Sequence, residues 1–238
     1  MGVRKLRALL GWLLVGVVGC RTVAPPPAAP ETSVRPGINA EYMDGDVSKW
    51  VERFEHEGRE VYDHRQQIVD QIGLKPGMVV ADVGAGTGLY TKMLAGAVGP
   101  KGVVYAVDIA PAFVEHIRGR AAAEGLENVR AVLCTERSVE LPAGSVDVAF
   151  SIDTYHHFEY PQSTLASIRK SLRPGGQWIV VDFERIPGVS SEWILNHVRA
   201  GREAVIAEIQ AAGFKLVSQG NEAAFLRQNY FLRFQKRR

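Results

Sequence analysis

Met78-Val79-Val80-Ala81-Asp82-Val83-Gly84-Ala85-Gly86-Thr87-Gly88-Leu89-Tyr90 is the stretch around which this 238-residue chain is organised. An apolar run suited to a buried strand reaches an acidic residue and then a loop with glycine at every second position. Gly84, Gly86 and Gly88 admit positive φ and let the main chain approach a ligand where a Cβ would block it. An amphipathic helix follows at once, with Leu89, Met93, Leu94, Ala97 and Val98 on its apolar face. Its N-terminus offers unpaired N–H groups and a positive dipole end. Together these predict a cradle of nucleotide size.

The next acidic residue sharpens that expectation. Gly102-Val103-Val104-Tyr105-Ala106-Val107-Asp108 reads as a second strand ending in Asp108. That is about 20 residues past the loop, where a ribose-binding carboxylate is expected in dinucleotide folds. The dinucleotide fingerprint needs glycine or alanine at position 89, which holds leucine. A dehydrogenase is therefore disfavoured.

Val80 to Gly88, then Val107-Asp108, then Leu172-Arg173-Pro174-Gly175-Gly176 before a further strand resemble the class I S-adenosylmethionine-dependent methyltransferases, over roughly residues 60–235. The resemblance implies an α/β fold, a doubly wound Rossmann-like seven-stranded sheet with an antiparallel C-terminal hairpin. It also implies S-adenosyl-L-methionine as cofactor and leaves the acceptor open among small molecule, lipid or quinone, and protein; a small-molecule acceptor is expected, and a site near a membrane suits a lipid-soluble one. Cofactor contacts are expected from Asp82, Gly84, Ala85, Gly86, Thr87 and Gly88, and from Asp108 and Ile109. Further ones are expected from Thr135, Glu136, Asp153 and, in an N-terminal helix, Tyr62 with Arg65 beside it. The aspartate that family members carry after the third strand is missing from Cys134-Thr135-Glu136, which leaves Glu136 or a main-chain group for the adenine.

Elsewhere Pro111 starts a helix that Gly125 ends, and Asn128–Cys134 reads as the third strand. Ser145–Ile152 reads as the fourth strand, Pro161 opens a helix, and Gln177–Phe183 is the fifth strand. Helices are expected over 190–200 and 203–212, then strands 213–217 and 229–234. Tyr42, Met43, Trp50 and Phe54 are a high density of large side chains for a linker, and suit either a helical lid over the cofactor or a helix packed on the sheet edge.

The acceptor side falls to Asp153-Thr154-Tyr155-His156-His157, beyond the carboxyl end of the fourth strand, where ligands bind in doubly wound sheets. Tyr155, His156 and His157 are the candidate catalytic residues. One histidine suits a general base, its tautomer fixed by Asp153, because imidazole titrates near neutrality. The other reading has both histidines structural, with orientation carrying most of the rate. Asp153, His156, His157, Asp182, Glu184 and His197 could converge above the sheet as a metal site. No metal is expected, since adjacent histidines lack the i, i+4 spacing that puts two ligands on one helix face.

Formal net charge is +2, with no basic block beyond the tail Lys236-Arg237-Arg238, so no nucleic-acid partner is expected. Arg4, Lys5 and Arg7 precede the apolar run Ala8–Val18, which is short for a membrane span. Val17-Val18-Gly19-Cys20 resembles the lipobox of bacterial lipoproteins. That resemblance implies a signal peptide over 1–20, lipidated Cys20 as membrane anchor, and an extracytoplasmic location. A wrongly assigned start codon would make the protein cytoplasmic instead. Residues 21–38, rich in proline and alanine, read as a linker, and 39–238 as the methyltransferase domain with its N-terminal lid. The competing functional class is a membrane-anchored, non-catalytic lipoprotein that uses the fold as a binding module.

Overall fold

β1 (Val79–Val83), the strand quoted above, is buried along most of its length, as an unbroken apolar run demands when both sheet faces are covered. The computed structural model describes residues 1–2, 30–220 and 223–237. The chain divides into units 1–30 and 31–238, and of the first only Met1, Gly2 and Pro30 are described. The basic and apolar leader, Cys20 and the linker as far as residue 29 lie outside the described residues. Among the described residues no helix is long and apolar enough to cross a membrane.

Beside β1 run β2 (Val103–Asp108), β3 (Val129–Leu133), β4 (Val146–Ile152) and β5 (Leu172–Phe183), all parallel. β6 (Phe214–Ser218) and β7 (Asn229–Lys236) complete a seven-stranded sheet of order β3-β2-β1-β4-β5-β7-β6, with β7 antiparallel to both its neighbours. The chain thus reverses its direction of winding between β1 and β4, and their carboxyl ends open a crevice there. β5 starts earlier than its apolar run suggests. Leu172 pairs with Val146 and Gln177 with Val148, so the Arg173–Gly176 turn is a bulge inside the strand.

One face of the sheet packs Val80, Val104, Phe150 and Ile179 against α3 (Arg65–Ile72), α4 (Leu89–Val98) and α5 (Pro111–Ala123) through Ile68, Leu94 and Ile117. The other packs Ala149, Trp178 and Val180 against α6 (Pro161–Ser171) and α8 (Arg202–Ala211) through Leu165, Ile168 and Ile209. Between α6 and α8 the chain forms the short α7 (Glu192–His197), capped by Ser191 accepting from the Ile194 N–H.

The N-terminal portion is a 3₁₀ turn (Ala40–Asp44), α1 (Ser48–Phe54) and α2 (Glu60–Asp63). Residues 31–38, read above as the end of an extended linker, lie against the fold. Glu31 accepts from the Gln162 and Ser163 N–H groups in the first turn of α6, at 2.7 and 2.8 Å. Ser33 donates to Glu159 at 2.8 Å. The carboxylates supply what tethering by composition alone would leave out: fixed partners.

Candidate functional site

The loop after β1 hangs from the end of β2. The Gly84 and Ala85 N–H groups donate to the Val107 carbonyl at 2.8 and 3.1 Å, and the Gly86 N–H donates to Asp108 Oδ2 at 2.8 Å. Asp108 Oδ1 accepts from the Ala110 N–H at 2.9 Å, so the same carboxylate orients the entry to α5. A Cβ on Gly84, at φ +76°, would meet Thr154 Cγ2 at 2.2 Å. Asp82, buried at the end of β1, accepts from Thr91 Oγ1 at 2.6 Å. Burial pushes its carboxyl up to about 7, against the pull of Thr91, and nearby Asp108 adds to the rise. Burial raises Asp108 too, opposed by the N–H groups that reach it.

The N-terminal elements cover this loop. Trp50 is buried against Tyr42, Phe54 and Phe113. Phe54 reaches within 3.9 Å of where a Gly86 Cβ would stand. Arg120 joins the two parts, donating to Glu55 at 2.7 Å and to the Thr87 carbonyl at 3.2 Å. Arg59 donates to the Phe54 carbonyl at 3.0 Å and to Asp153 at 2.6 Å.

A cavity of about 480 Å³ runs from the glycine loop to the end of β4. It brings together most of the predicted residues: Asp82, Gly84, Ala85, Gly86, Thr87, Asp108, Ile109, Thr135, Glu136, Asp153, His156 and His157. Three predicted residues lie elsewhere. Gly88 caps α4 at φ +81° and faces Ile117, so its glycine serves packing. Tyr62 carries the Arg65 guanidinium over its ring, 4.1 Å from the centroid, outside the cavity lining. The arginines that do line the cavity are Arg53 and Arg59. Tyr155 turns into the core beside Trp178, and its hydroxyl donates to Glu208 at 2.7 Å. It therefore has no access to an acceptor.

Asp153 does not hold a histidine. Its oxygens accept from Arg59 and from Asn229 Nδ2, both at 2.6 Å. Asp182 takes that role, accepting from His156 Nδ1 at 2.7 Å and from the His156 N–H at 3.1 Å. His157 and His197 meet through their Nε2 atoms at 3.4 Å. Burial holds His157 well below its ordinary range and His197 at about 4, and neighbouring His156 lowers both further. His197, Phe183 and Trp193 join the lining from β5 and α7, as do Asn39 and Tyr42 from the N-terminal side. The aromatic density of 42–54 was a visible signal for the latter, and the helix expected over 190–200, with Trp193 and His197, was one for the former.

Residues 80–176 match the model of the methyltransferase domain family. That stretch, about two fifths of the chain, is similar to a methyltransferase domain. The chain's seven-stranded sheet with the antiparallel C-terminal pair is the class I methyltransferase fold. A SAM-dependent methyltransferase from Aquifex aeolicus superposes with a TM-score of 0.69 at 25% identity, over 80% of this chain and 98% of that one. The cyclase SpnF superposes at 0.70 with 16% identity, over 88% of this chain and 98% of that one, a likeness of fold alone. In sequence, the ubiquinone/menaquinone biosynthesis C-methyltransferase UbiE of Burkholderia cenocepacia is 30% identical over 118 residues, 50% of this chain and 48% of that protein. The chain thus spans about half the length of the curated relatives it matches.

Two predictions follow from the domain's glycine loop and its buried acid. Gly84→Ala forces a side chain into positive φ and into Thr154, at about 1–3 kcal/mol for the backbone alone. Thermal unfolding should show that loss, and Gly84→Ala with Thr154→Ala should recover only part of the contact cost, because the Thr154 Cβ would still stand 2.9 Å away, and none of the backbone part. For Asp82, the native carboxyl binds its proton more tightly than the unfolded one. Its contribution is whole below pH about 4 and is lost, at about 1.4 kcal/mol per pH unit, as pH rises to about 7. Urea unfolding at pH 5 and pH 8 should show Asp82→Asn gaining on the parent at the higher pH. An unchanged gap would mean that Asp82 is already ionised in the native protein.

Proposed function

We propose that this protein is an S-adenosylmethionine-dependent methyltransferase acting on a small, largely apolar acceptor. The observation that carries this is the juxtaposition of a loop with glycine at every second position and the Asp108 carboxylate at the next strand end, both facing one cavity. The residues suit the cofactor: Gly84 and Gly86 present main chain to the cavity where a side chain would crowd Thr154 or Phe54, and Asp108 can accept from a ribose diol. Glu136 and Thr135 line the side left for a base. Bound there, the cofactor supplies a sulfonium methyl group.

The protein's own part is alignment. Phe54 covers the loop and Tyr42 lines the cavity toward His157, so both help keep water out. Phe158, Phe183 and Trp193 line the other end with apolar surface, which suits a ring-bearing, lipid-soluble acceptor. The quinone-pathway activity in the name of the Burkholderia relative supports an acceptor of that kind. Asp182 holds His156 in one tautomer at the acceptor end, so the groups there are set before an acceptor arrives.

We further propose that the domain is tethered to a membrane through Cys20, on the strength of Val17-Val18-Gly19-Cys20 and the proline-rich stretch after it. An apolar acceptor and a membrane anchor fit one another.

Calorimetric titration with S-adenosylhomocysteine should give one site per chain. Asp108→Asn, which keeps the shape and loses the charge, should weaken it at least tenfold, about 1.4 kcal/mol. No heat from the parent would remove the cofactor from this proposal. Palmitate labelling in the native host should mark the parent and spare Cys20→Ala; an unlabelled parent ends the anchor.

A further inference from the structure

His156, His157 and His197 each bring a ring nitrogen to within 4.8 Å of the other two. We infer that this trio binds a divalent transition-metal ion, zinc or a first-row neighbour, with its remaining coordination position open to the cavity.

The geometry is close to what such an ion needs. Zinc–nitrogen bonds of 2.0–2.1 Å in a tetrahedron set ligand nitrogens about 3.3 Å apart. The Nε2 atoms of His157 and His197 already stand at 3.4 Å. His156 is prepared differently. Because Asp182 accepts from its Nδ1, the proton sits there and the Nε2 lone pair is left free. A carboxylate behind a ligating histidine is the usual outer partner in such sites, fixing the ring and raising its basicity. Nδ1 of His157 is buried with no hydrogen-bond partner among the described residues, so no protein acceptor there fixes which of its nitrogens carries the proton.

The rings are also held from outside. Trp193 stacks on His197 at 4.7 Å between centroids, and Tyr42 stands edge-on to His157 at 5.2 Å. Asn39 donates to the His157 carbonyl at 3.1 Å, and Arg35 to the Asn196 carbonyl at 2.8 Å and to that of His197. The strap of residues 35–39 thereby ties the turn after β4 to α7, the two elements that supply the ligands. An all-imidazole set selects zinc, copper, iron or nickel over magnesium or calcium, which prefer oxygen.

All three histidines line the cavity that also holds the glycine loop. The open position suits a hydroxyl, phenol or enol oxygen of the acceptor, whose acidity a bound cation raises. That assignment rests on the methyl-transfer reading; the metal site itself does not.

The test is titration of the untagged, chelator-stripped chain with cobalt(II) as a spectroscopic stand-in, followed by zinc. One equivalent of cobalt should produce the strong visible absorption of a tetrahedral centre, and zinc should bleach it. His197→Ala should lose the absorption while keeping the parent's unfolding midpoint to within a few degrees. Asp182→Asn should keep the spectrum and bind about 10–100-fold more weakly. A weak octahedral spectrum in the parent, or a parent-like one in His197→Ala, overturns the site. S-adenosylhomocysteine binding is read in parallel: its absence beside an intact cobalt spectrum defeats the methyl-transfer reading and leaves the metal site standing.

Discussion

The hydrogen bond from the Gly86 N–H to Asp108 carries more of this structure than its single contact suggests. β1 and β2 are parallel neighbours in register from Val79↔Val103 to Val83↔Val107, so their carboxyl ends emerge side by side. The loop leaving β1 must turn before it collides with the sheet edge, and its N–H groups must find acceptors away from water. Val107 supplies a carbonyl and Asp108 a carboxylate. With the loop so held, α4 starts with its N-terminus toward the cavity, and Phe54 can close over glycines that offer no side chain to keep it away.

A second acid does comparable work at the other side of the crevice. Asp153 sits at φ +47°, an uncommon conformation for a residue with a Cβ. Arg59 and Asn229 grip both its oxygens, drawing the N-terminal segment and β7 toward the end of β4. Asp182, one strand over, performs the matching task for His156. Three acids at three strand ends thus organise loop, lid and histidine in turn. Each is buried, so each needs its donors in place: removal of a donor leaves a desolvated carboxylate, which costs more than the bond it made.

What was legible in the sequence follows from this division. The parallel strands announced themselves because burial on both faces leaves unbroken apolar runs, and Pro111 and Pro161 marked the helix starts they do form. The cradle residues were legible because their chemistry is local: glycine for conformation, an acid at a strand end. Contacts made across the fold were not. Sequence order put Asp153 beside the histidines, yet Asp182 reaches His156 through the pairing of β4 with β5. Tyr155 is next to His156 in the chain and points the opposite way, since adjacent residues in a tight turn diverge. Arg65 follows a helical repeat, whereas Arg59 precedes the helix and is aimed by the covering segment, for which no periodicity exists to read.

The histidine trio shows the same limit from the chemical side. An argument from i, i+4 spacing tests whether one helix can present two ligands; it is silent on a turn and a helix 40 residues apart that a strap ties together. Once assembled, the trio gives the cavity two unlike ends. At the β1–β2 end stand buried carboxyls whose raised affinity for protons makes them receptive to a cationic ligand. At the β4–β5 end stand imidazole lone pairs held by stacking and one carboxylate, receptive to a cation of a different kind. Distance is what separates the two charges, since the low polarity of an apolar wall strengthens their interaction rather than screening it. A group moved from one end to the other crosses only that dry interval, which is the condition under which alignment alone governs rate.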